Sequence, residues 1–287
     1  LLLNNILLAV SAFVVFIGPI WPLLAAMFFD RKLSVGAPYF DAAFTPFMVA
    51  LAVILPIGSM MPWKRADLRR TMSSLWGVLI LAFVCGALAW TMQTGRSILG
   101  PVGAGLAMWL VGGAVMDVFA KTGRGGFSSR LSRLTRLPRA DWGRGVAHAG
   151  LGVCMFGIAG MMAWQTEDIR VVNIGESFDV AGYTVRLNDV RQVEGPNYIS
   201  TMADMDVMRG SRTLATMHPE KRIYPVAQMP TTEAAISSNL FRDIYLVIGE
   251  EQADGSWAVR SYVKPLAMWI WGGAILMALG GFLSLFD

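Results

Sequence analysis

Six stretches of this sequence are apolar over nearly the length that a helix needs to cross a lipid bilayer. A transmembrane helix takes about 20 mostly apolar residues at a rise of about 1.5 Å per residue. The chain is 55% hydrophobic with a mean hydropathy of +0.51, which is too apolar for a soluble domain. We therefore predict a membrane protein, mainly α, with six transmembrane helices. The predicted spans are residues 2–28, 44–61, 73–92, 98–120, 145–164 and 265–286.

Positively charged residues between these spans predict the orientation in the membrane. Eleven of them lie in residues 62–70 and 121–144, at Lys64, Arg65, Arg69, Arg70, Lys121, Arg124, Arg130, Arg133, Arg136, Arg139 and Arg144. The short loops of the opposite side contain only Arg31, Lys32 and Arg96. By the positive-inside rule, the basic loops and both chain ends are expected to be cytoplasmic, in a bacterial inner membrane. Because the positive residues cluster between apolar runs, we expect the bilayer as a partner, and no nucleic acid.

The polar residues 165–264, between the fifth and sixth spans, change from helical periodicity to alternation. Turn signals such as Ala181-Gly182, Arg209-Gly210-Ser211 and Asp254-Gly255 separate runs rich in β-formers. These runs are residues 169–172, 183–190, 202–208, 244–248 and 257–263. We predict a small β-rich periplasmic domain at 165–264. It divides a five-helix transmembrane part, 1–164, from a C-terminal transmembrane helix, 265–287.

The cysteines exclude several kinds of site. Cys85 and Cys154 are isolated in apolar stretches, so no disulfide framework, zinc site or redox pair is indicated. A Cys-x-x-Cys-His sequence is absent, so this chain cannot itself carry covalently attached c-type haem. The apolar start lacks a basic leader and a small-residue cleavage site, and we interpret it as a cut or split point rather than a signal peptide.

Histidine is scarce, and one of the two histidines lies within a predicted span. His148 is flanked by Gly145, Ala149 and Gly152, on or near its own helical face. An ionisable residue at membrane depth is costly and marks a functional site by default. The small residues suit either a close helix crossing or a porphyrin lying against the helix with its iron on the imidazole. The residues alone leave these two interpretations open.

Other polar residues have simpler interpretations. Arg144, one turn before His148, is either a positive-inside anchor or a contact for a haem propionate. Asp117 lies about one turn from the cytoplasmic end of its span and is interpreted as interfacial, which weakens the hypothesis of an ion-coupled transporter. His218 is expected to be a solvated surface residue, and Trp269 and Trp271 to be part of an interfacial aromatic belt.

Residues 143–152, Gly-Arg-Gly-Val-Ala-His-Ala-Gly-Leu-Gly, resemble the helix of CcmF-type cytochrome c biogenesis proteins that provides an axial ligand to a transmembrane haem b. The resemblance covers essentially the whole chain but matches only the C-terminal portion of a family member. Ala37 and Asp41 depart from the family pattern, which has Pro and Asn there. The other matching segments are residues 3–5, 34–41, 194–198, 220–224, 231–236, 242–245, 255–260, 264–265 and 269–273.

The resemblance implies a function in a cytochrome c haem lyase complex, which attaches haem covalently to apocytochrome c. It implies haem b as cofactor, with His148 as an axial ligand of its iron. Implied partners are a haem chaperone, other Ccm maturation proteins, apocytochrome c, and the N-terminal part of the same protein or a split partner. The tryptophan-rich haem-presenting segment and the other haem-ligating histidines of the family are absent here. The catalytic residues are therefore unassigned, and the segment alone is expected to be incomplete as an enzyme.

A second hypothesis comes from another class of function. This portion could be a non-catalytic membrane scaffold whose β-rich domain docks apocytochrome or assembly partners. A b-type absorbance spectrum that depends on His148 distinguishes the first hypothesis from the scaffold and from the transporter.

Overall fold

The computed structural model describes residues 2–61, 67–123, 125–226 and 228–286, and within them eight helices and ten strands. The basic residues Lys64, Arg65 and Arg124 lie outside these ranges. The helices are α1 (Leu2–Phe29), α2 (Ala37–Ala43), α3 (Thr45–Met60), α4 (Leu68–Met92), α5 (Leu99–Lys121), α6 (Phe127–Leu134), α7 (Arg139–Trp164) and α8 (Met268–Ser284). The strands are β1 (Thr166–Val172), β2 (Ser177–Val180), β3 (Tyr183–Glu194), β4 (Ile199–Arg209), β5 (Arg212–Met217), β6 (Glu220–Tyr224), β7 (Met229–Glu233), β8 (Ala235–Ser238), β9 (Arg242–Glu251) and β10 (Trp257–Pro265).

Each predicted span coincides with a helix. Among the described residues, four helices are long and apolar enough to cross a membrane: α1, α4, α5 and α7. Two further apolar helices, α3 and α8, have 16 and 17 residues. Large apolar side chains on these helices are exposed, for example Phe83 at 72% and Phe13 at 63%, as expected for surfaces that face lipid.

The chain divides into two compact units, and most of the helical residues form the first, which comprises 1–88, 102–155 and 272–287. In this unit α7 packs antiparallel to α8 with glycines at the contact. A Cβ atom on Gly150 or Gly273 would lie closer than 3 Å to backbone atoms of the other helix. The same holds for Gly143 and Gly280, one heptad away. Small residues allow this approach, which in lipid is stabilised by dispersion contacts rather than by exclusion of water.

A second contact of the helical unit lies around α4 and α5. The buried residues Leu75, Val78 and Ala82 of α4 pack with Trp109 of α5. The Trp109 indole donates a hydrogen bond of 3.0 Å to the carbonyl of Val53 in α3. Pro56 in α3 lacks the N–H that would bond the carbonyl of Ala52, the residue before Val53.

The basic segment 121–144, expected as a loop, contains the short helix α6. Two arginines of α6 reach back to the C-terminal end of α5. Arg130 donates to the carbonyl of Phe119 at 2.6 Å, and Arg133 donates to the carbonyl of Thr122 at 2.8 Å. Phe119 lies in the last turn of α5 and Thr122 directly follows the helix, so the arginine charges complement the negative end of the helix dipole.

The second unit, residues 89–101 and 156–271, contains a β-sandwich. One sheet has the strand order β1-β10-β9-β8, and the other has β2-β3-β4-β6-β7 with β5 also paired to β4. All pairings are antiparallel, and β3–β4 and β9–β10 form the central hairpins. Side chains from both sheets share one buried core, formed by Val172, Phe178, Val180, Val185, Leu187, Ala203, Met205, Val207, Met217, Ile244, Leu246, Ile248, Val259 and Val263.

The five predicted β runs each lie within a strand, and the turn prediction at Ala181-Gly182 is confirmed. Both residues have positive φ, +47° and +79°, as the two-residue turn of a tight hairpin requires. Five strands were not predicted: β2, β5, β6, β7 and β8. They are short, and along β7 the exposed residues do not alternate with buried ones. Such strands lack the period-two signal that identifies a half-buried strand in a sequence.

The crossing of α7 with α8 is testable with two neighbouring glycines. Gly273→Ala places a methyl group against the backbone at Cys154 and Gly150, so we expect the helices to separate at a cost of about 1–3 kcal/mol. Gly272→Ala meets nothing within 4 Å and should be neutral or slightly stabilising. Thermal unfolding in detergent, followed by tryptophan fluorescence, compares the two variants. Equal melting temperatures would contradict the packing described here.

Candidate functional site

His148 lies near the middle of α7, in an otherwise apolar and glycine-rich part of the helix. The residue is half-buried. Its Nδ1 atom is buried and has no hydrogen-bond partner within the part of the chain that the structure describes. Buried polar atoms in folded proteins are almost always paired, so an unpaired ring nitrogen points to a ligand or partner beyond this chain.

The small residues beside His148 make a helix crossing. Cβ atoms on Gly145 and Gly152 would lie closer than 3 Å to Val118 and Val111 of α5. Of the two interpretations that the sequence leaves open for these glycines, close packing is the one found in the structure. Space for a porphyrin is therefore not provided by Gly145 and Gly152, whose faces are covered by valine side chains.

The imidazole itself fits an axial ligand of haem. It is a strong-field nitrogen donor on an apolar helix, with a ring nitrogen that the described residues leave without a partner. The helix carrying it is held from two sides, by α5 at Gly145 and Gly152 and by α8 at Gly150. A ligand needs a fixed position, and these two crossings provide it. His148 is the one histidine of this unit, and its imidazole could bind the iron.

Arg144 is engaged by carboxylates. Its Nε atom lies 3.1 Å from Oδ2 of Asp117 on α5, and its Nη2 atom lies 2.9 Å from Oδ1 of Asp141 on its own helix. Asp117 is 1% exposed, and Lys121 lies 3.8 Å from Asp141. These four residues form a charged cluster, the α5–α7 ion cluster, of two positive and two negative side chains. A buried carboxylate requires such compensation.

The α5–α7 ion cluster changes the interpretation of two residues. Asp117, interpreted from the sequence as interfacial, is buried against Arg144. Arg144, considered as a propionate contact, has two carboxylate partners, so a propionate would be a third. The sequence contains a signal for this pair. Asp117 lies about one turn before the end of one span, and Arg144 lies about one turn from the start of the next. When the two spans run antiparallel, both residues are at the same level.

A cavity of about 440 Å³ adjoins the cluster, between the ends of α3, α4 and α5. Its described lining contains no histidine, so this cavity is not the space beside His148. It is lined by Ser59, Met60, Met61, Asp67, Arg70, Thr71, Ser74, Asp117, Ala120 and Lys121.

The other histidine lies in the β-sandwich. The side chain of His218 is 50% exposed, and its Nδ1 atom is hydrogen-bonded to Asp204. Arg191 also binds Asp204, and these bonds, that from Arg191 above all, hold the pKa of the Asp204 carboxyl below its usual range. His218 is thus a surface residue with a carboxylate partner.

The α5–α7 ion cluster predicts an asymmetric double-mutant result. Arg144→Ala leaves Asp117 buried without its partner and should destabilise the protein by about 3–5 kcal/mol. Arg144→Met combined with Asp117→Leu removes both charges and should recover most of that loss. Arg139→Ala, at an exposed position of the same helix, is the control and should change little. Thermal unfolding in detergent measures all three. A double variant as unstable as Arg144→Ala would argue against the burial of Asp117 as the cause.

Comparison with known proteins finds one matching domain model, several similar sequences and one similar fold. A family model described as the CcmF C-terminal β-sandwich matches residues 163–265. The cytochrome c-type biogenesis protein ccl1 of Rhodobacter capsulatus is 55% identical over the whole chain, which covers 43% of that protein. CcmF of Escherichia coli is 36% identical, again over the whole chain and 43% of the relative.

A solved structure named Cytochrome c Heme Lyase CcmF matches the fold with a TM-score of 0.70 at 23% identity. The match covers 100% of this chain and 45% of that one. The chain spans less than half the length of these relatives. The chain is therefore similar over its whole length to part of the CcmF-type cytochrome c biogenesis proteins, and its residues 163–265 match the model of the CcmF C-terminal β-sandwich.

Proposed function

We propose that this chain is part of a cytochrome c haem lyase complex and that His148 is one axial ligand of a haem b in the membrane. The complex attaches haem covalently to apocytochrome c, and this segment is one part of the enzyme. The names of the matching proteins, cytochrome c-type biogenesis protein and cytochrome c heme lyase, support the assignment of the process.

The observation that carries the proposal is the position of His148 on an apolar helix, with a buried Nδ1 to which none of the described residues is hydrogen-bonded. When bound there, haem b supplies one-electron redox chemistry. The protein contributes the imidazole and the packing that holds it. The crossings with α5 and α8 position α7, and the ion pair of Arg144 with Asp117 ties the N-terminal half of α7 to α5. A second axial ligand would come from another segment or chain.

The proposed arrangement has six spans, with both ends of the chain cytoplasmic. Residues 1–164 are a five-helix transmembrane part, 165–264 a periplasmic domain, and 265–287 the last transmembrane helix. The shorter helices α3 and α8 are included as spans because both are apolar throughout. A periplasmic sandwich faces the compartment in which a haem chaperone, apocytochrome c and other Ccm maturation proteins would meet it.

The scaffold hypothesis has one observation in its favour. Strand β1 is at the edge of its sheet and pairs with β10 alone among the described strands. Ile169 and Val171 on this strand are 62% and 55% exposed. An exposed apolar edge strand can bind an extended polypeptide by strand addition, and apocytochrome c is unfolded before haem attachment. Binding of an apocytochrome peptide to the reconstituted chain, weakened by Ile169→Lys, would favour a docking function.

The haem proposal is tested by removing the ligand in the complete protein. His148→Ala leaves the iron without its strong-field donor, so we expect loss of nearly all b-type absorbance together with loss of cytochrome c assembly. The spectrum of the purified protein is the primary measurement, because assembly alone would also be lost if folding failed.

Two variants control this experiment. His218→Ala removes the exposed histidine of the sandwich and should leave the spectrum unchanged. His148→Gly with added imidazole should regain part of the b-type spectrum, because the removed ring leaves its own volume for a free ligand. Unchanged haem content in His148→Ala protein would reduce His148 to a packing residue.

The topology is tested by labelling single cysteines in intact spheroplasts. Val226, in the turn between β6 and β7, is fully exposed, and Ser128 in α6 is exposed as well. A membrane-impermeant maleimide should label Val226→Cys and spare Ser128→Cys until the cells are lysed. Labelling in the opposite order would reverse the proposed orientation.

A further inference from the structure

The turn between β8 and β9 presents two large apolar side chains at its tip. Leu240 is 65% exposed and Phe241 is 73% exposed. We call Asn239–Phe241 the apolar tip. Exposed apolar residues that occur singly need no explanation, but two adjacent ones at the end of a sheet suggest a contact surface.

The apolar tip is rigid. The Asn239 side chain accepts hydrogen bonds from the backbone N–H groups of Phe241 and Arg242, at 2.8 and 2.9 Å. The N–H of Asn239 donates to the carbonyl of Arg242 at 3.0 Å, which closes the turn. A fixed turn presents Leu240 and Phe241 without the entropic cost of ordering them on contact.

Two hydrogen bonds tie the apolar tip to the beginning of α8. The Trp269 indole donates to the carbonyl of Leu240 at 2.8 Å, and the N–H of Leu266 donates to the carbonyl of Phe241 at 2.9 Å. Trp269 is in the first turn of α8, an apolar helix. The tip therefore lies at the level where this helix begins.

The C-terminal end of α7 is in the same unit and joins the sandwich almost directly, since only Gln165 separates α7 from β1. Trp164 donates to the carbonyl of Met92 at 2.8 Å, and Thr94 donates its N–H to the carbonyl of Ala163 at 3.1 Å. Tryptophans at the ends of two apolar helices mark the height of a membrane–water interface.

Positive residues without ion pairs lie at the same end of the sandwich. Arg209 and Arg212 flank the turn between β4 and β5, and Arg209 lies 5.9 Å from the ring centre of Tyr183. Tyr183 in turn accepts a hydrogen bond from Arg242, which follows the apolar tip. Arg209, Arg212 and Lys264 have no carboxylate within 4 Å among the residues described. The Lys264 ammonium lies 4.1 Å from the ring centre of Tyr245. An apolar tip beside positive charges that no described carboxylate neutralises complements an anionic lipid surface.

We propose that the apolar tip is a membrane contact: Leu240 and Phe241 insert at the boundary of headgroups and acyl chains, and Arg209, Arg212 and Lys264 meet lipid phosphates. The partner is the bilayer into which α7 and α8 run. The contact gives the sandwich a third attachment beside its two helical connections, so the domain cannot tilt freely about them. The inference needs α7 and α8 to cross the membrane, and it is independent of haem.

The test is spin labelling of Phe241→Cys in the full chain, with Cys85 and Cys154 replaced by alanine. The protein is reconstituted in nanodiscs of phosphatidylcholine and phosphatidylglycerol. Collision rates with oxygen, which concentrates in lipid, and with a water-soluble nickel chelate are measured by electron paramagnetic resonance. We expect the Phe241 label to collide at least threefold more often with oxygen than the control label at Val226, and correspondingly less with nickel.

Val226 is the matched control because it is a fully exposed apolar residue in a turn at the opposite end of the sandwich. Leu279→Cys on α8, 56% exposed, is the lipid reference. Nickel accessibility at Phe241 equal to that at Val226 would overturn the proposal. A label at Phe241 shielded from both reagents would overturn it as well, since protein rather than lipid would then cover the tip. If the label at Leu279 is exposed to water, α8 does not cross the membrane, and the proposal fails with it. None of these measurements depends on the haem content of the protein.

Discussion

The close approach of α7 to its two neighbouring helices is the constraint on which the candidate site depends. In lipid, apolar side chains gain nothing by leaving the solvent, so helices associate only where their backbones can come close. Glycine provides that approach at both faces of α7, toward α5 at Gly145 and Gly152 and toward α8 at Gly150 and Gly273. His148 lies between these contacts along the helix. Its position is set by four glycines rather than by hydrogen bonds of its own.

Some buried polar groups of the helical unit have a hydrogen-bond or ion-pair partner among the described residues, and others do not. Asp117 is buried but has Arg144, and the α5–α7 ion cluster as a whole is neutral. His148 lies one turn further along α7 and has a buried nitrogen that no described residue hydrogen-bonds. An unpaired polar group in an apolar environment costs free energy, which a bond to a ligand can offset. A bond to iron is the one proposed here.

Much of the fold could be predicted from hydropathy, and the errors have a common physical origin. Hydropathy detects where a helix is apolar, so the predicted start at residue 145 missed the polar first turns of α7, which begins at Arg139. Likewise, α6 is too polar to be detected as an apolar helix. Edge strands such as β7 lack the alternation of buried and exposed residues that identifies a strand. His148 could be singled out because histidine is rare in the chain. The buried Asp117 is paired with Arg144, which lies 27 residues later on another helix. The spacing of residues within one helix does not reveal such a pair.

At both ends of the sandwich, at most two residues separate the terminal strand from the neighbouring helix. Strand β1 follows α7 after one residue, and β10 ends three residues before α8 begins. Because β1 pairs with β10 along the full length of β1, the two helical connections enter the same sheet side by side. The bonds from Trp269 to Leu240 and from Leu266 to Phe241 attach the turn before β9 to the start of α8 as well. The sandwich is thus joined to the end of α7 and the start of α8 by three chain segments, all of them within one compact unit.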